Sequence, residues 1–137
     1  MNVLPPDQSN DLWRLSWLSF ASGIYGITQG HYDLAVVPLG VWITSINYWR
    51  KPDYSWRRYA DITYVHVSLI YQLLRSIEAQ YRIPYWIVLG VAVGFYPIGC
   101  YFHQTGDNRG GWPSTICHGM VHIFGNISNF ILYSGNV

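Results

Sequence analysis

Five apolar stretches, at about 12–29, 33–49, 59–74, 84–102 and 113–134, fill most of this 137-residue chain, with only short connections between them. Several fall short of the roughly 20 residues that one helical pass of a bilayer requires, so their boundaries are soft. In hydrocarbon the backbone must satisfy its own hydrogen bonds, and spans of this length without strand-like alternation are expected to do so as helices. The expected fold is all-α: a polytopic membrane helix bundle of about five transmembrane helices, in one domain covering residues 1–137.

Composition agrees. Charged residues make up 11% of the chain, against about 25% in soluble domains. Seven Trp and twelve Tyr hold the mean hydropathy down to +0.10, although such rings favour the membrane interface. A net charge of +1 offers no concentrated basic face, which argues against nucleic acid as a partner. Cys100 and Cys117 read as small buried hydrophobes rather than a disulfide or metal pair. The opening "MNVLPPDQSNDLWR" lacks a basic leader followed by an apolar run and a cleavage site, so the first apolar segment is expected to stay in the mature protein.

The connections are "QGHYD", "RKPDYSWRR", "SIEAQYRIP" and the Gly-rich "HQTGDNRGG". With five spans, Arg14, Arg50, Lys51, Arg57, Arg58 and Arg109 fall on one side and Arg75 and Arg82 on the other. Lys and Arg concentrate on the cytoplasmic side of membrane proteins or its organellar equivalent, which puts the N-terminus inside and the C-terminus outside. The aromatic and basic "YWRKPDYSWRRYAD" reads as an ordinary interfacial anchor, with selection of anionic lipids as the lesser alternative.

The same topology places Ser45 and Asn47, Asp61 and Tyr64, and His118 and His122 at one depth. In the last span, "STICHGMVHIFGNISNFILY" carries no charge, and His118, His122, Asn126, Asn129 and Tyr133 fall on a single helical stripe. A second stripe comprises Asp61, Tyr64, Ser68, Tyr71 and Gln72. Facing lipid, such groups would cost several kcal/mol apiece, about 2–7 by transfer, so both stripes are expected to face the bundle interior.

Two imidazoles at i and i+4 can chelate a cation, and a carboxylate from a neighbouring helix can add the third ligand of a catalytic zinc with an open position. Asp61, His118 and His122 supply that donor set. Water on such an ion ionises near neutral pH and can attack a polarised carbonyl, with Ser45 or Tyr64 donating to the developing oxyanion. The same side chains could instead serve as interhelical hydrogen-bond glue, or ligate haem or chlorophyll. His66 lies roughly 140° around the helix from Asp61, which separates it from that site. His31 and His103 sit at span edges and read as interfacial, with His103 able to close over the site alongside the Gly-rich loop.

Ser45, Asp61 and "HGMVH" occur in the order seen in the alkaline ceramidase-like (CREST) superfamily of membrane hydrolases, which the chain resembles and which includes adiponectin-receptor-like proteins. Its pattern is a Ser and a His one turn apart late in an early helix, an Asp near the start of the next, and HxxxH in the last. Here Trp49 stands where the first His belongs, so Asp61 would ligate directly or His66 substitute. Those proteins usually have seven helices; one helix rather than three between the Asp and the HxxxH preserves the sidedness. The resemblance implies zinc-dependent hydrolysis of a lipid amide such as ceramide, with membrane lipids as surroundings and substrate. The alternative is a non-catalytic subunit of a larger respiratory or photosynthetic membrane complex.

Overall fold

The computed structural model describes residues 3–105 and 111–137. They form six helices: α1 (Pro6–Leu15), α2 (Trp17–Thr28), α3 (Tyr32–Trp49), α4 (Trp56–Arg75), α5 (Arg82–Thr105) and α6 (Trp112–Tyr133). No strand occurs among the described residues, so the all-α expectation holds. Most of the connection "HQTGDNRGG", with Arg109, lies outside the described residues.

The first apolar stretch becomes two helices joined through Ser16. That residue keeps helical dihedrals (φ −60°, ψ −22°), and its hydroxyl bonds back to the Leu12 carbonyl at 2.8 Å. Ser and Thr hydroxyls compete in this way with the backbone ladder, which accounts for an interruption here. Helix α1 also starts earlier than the apolar pattern does, because Pro6 fits the first helical turn, where its missing N–H costs nothing. The α2–α3 turn closes on Gly30 at φ +80°. Gly30 N–H bonds to Ile27 and His31 N–H to Gly26, a Schellman close whose left-handed position favours glycine.

Pro38 interrupts the α3 ladder and leaves the Leu34 carbonyl without its usual donor. The Tyr133 hydroxyl of α6 donates to that carbonyl at 3.2 Å, so a proline's defect becomes a cross-helix tie. A side chain at Gly26 would meet Tyr133 and Ala35 at 3.1–3.2 Å; the glycine is what lets α2, α3 and α6 come together there. Tyr64 lies over Gly40 and hydrogen-bonds the Val36 carbonyl at 3.0 Å, seating α4 on α3. The same pair of helices is clasped near the start of α3 and the end of α4, where Arg75 and Tyr71 both donate to Asp33 at 2.8 Å.

The packing order differs from chain order. Helix α5 packs on α6, α6 on α1 and α2, these on α3, and α3 on α4. Helices α4 and α5, consecutive in sequence, are the two ends of this arc and make no close backbone approach to each other. They are pinned only near their connection, where Trp86 Nε1 donates to Ser76 Oγ at 2.8 Å. The arrangement is an open C with one cluster of buried apolar side chains around Leu34, Tyr85, Leu132 and Tyr133 and another around Leu12, Tyr48 and Trp49.

The distribution of polarity is inverted relative to a water-soluble domain. Buried side chains include Ser19, Ser22, Ser45, Asp61, Gln72, Asn126 and Asn129, while Val67, Ile70, Leu74, Ile87, Ile98 and Phe102 stand exposed. Helix α5 is long and apolar enough to cross a membrane by length and composition; the other described helices do not meet that measure.

Candidate functional site

The open C encloses a cavity of about 230 Å³. Ser45 of α3, Asp61 of α4, and His118 and His122 of α6 all line it, so four residues drawn from three separate stretches of sequence face one space. Its walls are otherwise mainly apolar, with Val65 and Leu69 on α4 and Leu89 and Val93 on α5. Those two helices are the unpaired edges of the arc.

Asp61 sits one and a half turns into α4 and is 8% exposed. Its Oδ1 accepts from Thr44 Oγ1 at 2.7 Å and Ser45 Oγ at 2.8 Å. No ion pair forms at this carboxyl among the described residues. The two α3 hydroxyls fix its position, and Oδ2 remains without a hydrogen-bond partner among the described residues. Ser45 therefore gives its proton to Asp61 rather than standing free as an oxyanion donor. Tyr64 is likewise committed elsewhere, to the Val36 carbonyl, and does not line this cavity.

His118 and His122 lie one helical turn apart with ring centroids 5.3 Å from each other. Neither imidazole has a hydrogen-bond partner among the described residues; only the backbone carbonyl of His122 is engaged, by Asn126 Nδ2 at 2.7 Å. Trp49 lies edge-on to His118 at 4.9 Å. The residue that departs from the ceramidase-like pattern is thus in direct contact with the imidazole it would have accompanied.

The pair of free imidazoles suits a divalent cation in donor chemistry. The expected three-ligand set is not gathered, however: no group of three or more His, Cys, Asp or Glu side chains stands close enough to hold a metal ion among the described residues. His66 also lines the cavity, contrary to the angular argument that separated it from Asp61. The cavity spans several turns of α4, so a residue off the Asp61 stripe still reaches its edge. His66 Nδ1 is held by the Ile62 carbonyl at 2.7 Å.

The two polar stripes have different fates. Along α6, the lower half is saturated: Asn126 accepts from Ser22 Oγ at 2.7 Å and donates to Ser19 Oγ at 3.2 Å, and Asn129 accepts from Gln72 Nε2 at 3.1 Å. Gln72 also reaches the Tyr133 hydroxyl. Along α4, Asp61, Ser68 and Gln72 are buried, whereas Tyr64 and Tyr71 turn to α3. A long phenol can reach the neighbouring helix from the edge of a stripe, which helical spacing alone does not reveal.

Sequence reasoning missed Thr44, Ser19 and Ser22. The small residues Ser19, Ser22, Gly23 and Gly26 at three- and four-residue spacing mark a close helix interface and could have identified α2 as the partner of α6. Thr44 carried no such signal.

No family model, curated protein or solved structure matches this chain.

Proposed function

We propose that this chain is a multi-pass membrane protein whose inner cavity binds zinc through His118 and His122 and hydrolyses a lipid amide. The observation that carries the reading is the meeting of Ser45, Asp61, His118 and His122 around one cavity whose walls are mainly apolar. The distribution of polarity supports lipid as the solvent: many large apolar side chains on α3, α4 and α5 are exposed, while buried amides and hydroxyls bond one another. The charge asymmetry of the connections supports an N-terminus on the cytoplasmic side or its equivalent.

A zinc ion on the two imidazoles would supply Lewis-acid polarisation of the amide carbonyl and an activated water. The protein's own groups do the rest. Thr44 and Ser45 hold one oxygen of Asp61, so that the other is available to take the proton released as water adds to the carbonyl carbon. As the C–N bond breaks, that proton passes to the departing amine, leaving a fatty acid and a free amine. The apolar walls of α4 and α5 accommodate the hydrocarbon chains and keep bulk water from the reacting bond.

The decisive experiment is metal analysis of protein purified in detergent without added chelator, with hydrolysis of a fluorescent N-acyl lipid followed in parallel. Near-stoichiometric zinc, loss of turnover on chelation and recovery with zinc are expected. Metal-free protein that cannot be reconstituted sinks the reading. A second reading has one observation in its favour: His66, on α4, faces the same cavity as His118 and His122 on α6, a placement that could hold haem or chlorophyll in a subunit of a larger complex. A Soret or chlorophyll band in the absorption spectrum would select it.

A further inference from the structure

A second cavity, of about 210 Å³, adjoins the first at the α3–α4 connection end of the bundle and shares Asp61, Ile62, Tyr96 and His118 with it. Its character differs. Arg58 lines it, and among the described residues no Lys or Arg lines the first cavity. Arg58 forms no ion pair among the described residues, although Asp61 lies one turn away on the same helix. The guanidinium instead lies over the rings of Tyr54 at 5.3 Å and Tyr59 at 6.0 Å, which orient it without neutralising it.

A second observation comes from Trp49, which lines the same cavity and is 5% exposed. Its Nε1 is a buried donor with no hydrogen-bond partner among the described residues. Indole N–H groups are usually paired when buried, so this donor is left available to an acceptor that reaches it. A planar cation and an unpaired N–H in one pocket describe a receptor for an anion that accepts several hydrogen bonds. The junction with the first cavity runs past Asp61 and His118, so a head group here would leave its attached chain passing the proposed reaction centre toward the apolar α4 and α5 walls.

We infer that the second cavity binds the anionic head group, a phosphate or carboxylate, of an amphiphile whose hydrocarbon chain occupies the first, with Arg58 setting the preference for charge. This rests on the lipid-hydrolase reading for the route between the cavities but not on zinc for the binding itself. The test is protection against thermal unfolding in neutral detergent, with three probes: oleoyl lysophosphatidate, monooleoylglycerol and inorganic phosphate. The wild type should be half-protected by lysophosphatidate at a concentration about tenfold lower than by monooleoylglycerol, since a charge-assisted contact is being added. Arg58→Gln should bring the two concentrations together, and Arg58→Lys should restore part of the difference.

Equal protection by the charged and neutral lipids, or a preference undiminished in Arg58→Gln, overturns the inference. So does equal protection by inorganic phosphate alone, which would assign the cavity to a free ion. Zinc measured in the same samples separates the outcomes: head-group selectivity in metal-free protein retains this inference and removes the hydrolase, whereas zinc without selectivity does the reverse.

Discussion

The two halves of α6 carry similar residue types to opposite ends. From Asn126 onward every polar side chain facing the bundle is engaged: Asn126 with Ser22 and Ser19, Asn129 and Tyr133 with Gln72, and Tyr133 also with the Leu34 carbonyl. One turn earlier, His122 and His118 line the cavity with no hydrogen-bond partner for either ring among the described residues. A saturated network holds α2, α3, α4 and α6 in place and has no capacity left for a ligand. The other half has that capacity, because its two half-buried imidazoles line the cavity with ring nitrogens not engaged by another described side chain or backbone group. The position along one helix therefore separates scaffold from site.

Replacing one residue on each side of that boundary gives the sharpest test. His122→Ala is expected to abolish zinc retention and lower lipid-amide turnover by at least about a hundredfold, roughly 2.7 kcal/mol of barrier, while its melting temperature stays close to that of chelator-stripped wild type because no hydrogen bond of the ring is lost. Elemental analysis, turnover and a melting curve on the same preparation check this; unfolding without a change in metal content would erase the distinction between the two halves.

Asn126→Ala should do the converse, destabilising the bundle by about 1–2 kcal/mol with metal content unchanged, as read by denaturation in mixed micelles. Ser45→Ala should have a smaller, intermediate effect. Thr44 still holds Asp61, so turnover should drop about tenfold, as for other groups that orient a catalytic residue, with a KM near wild type.

The smallest effect lies outside the bundle. Hydrogen bonds from Ser55, together with Arg57 at 2.8 Å, hold the carboxyl of Asp53 below its ordinary value of 3.8. A depressed carboxylate stabilises the fold above its unfolded-state value, and that contribution is lost as pH falls through the folded-state value. The wild type should therefore lose slightly more thermal stability than Asp53→Asn on going from pH 6 to pH 3. Identical pH profiles would show that the connection contributes nothing.

Much of the helical content was legible because apolar runs and their punctuation are local properties. Gly30 and Ser55, in the connections "QGHYD" and "RKPDYSWRR", sit at helix boundaries in the structure, whereas Pro6 opens a helix that the apolar pattern does not reach. The placing of Asp61 and the two imidazoles around one cavity was legible through parity, since an odd number of intervening helices returns the chain to the same end of the bundle. Lateral order was not. Nothing in the spacing of apolar residues says that α4 and α5, neighbours in sequence, are the two edges of the arc. Hydroxyl commitments were also hidden: whether Ser45 points at substrate or at Asp61 depends on a 2.8 Å contact between helices. The hydroxyls expected to serve an oxyanion are engaged within the protein, Ser45 with Asp61 and Tyr64 with the Val36 carbonyl.

The gap between α4 and α5 bears on how a molecule with two tails could be handled. The slot is bounded by α4, which packs along α3 and reaches α6 through Gln72, and by α5, which packs along α6; the two edges are joined at their connection by Trp86 and Ser76. Entry from the side would let acyl chains stay in the bilayer while the polar bond alone moves inward, sparing the lipid a passage through water.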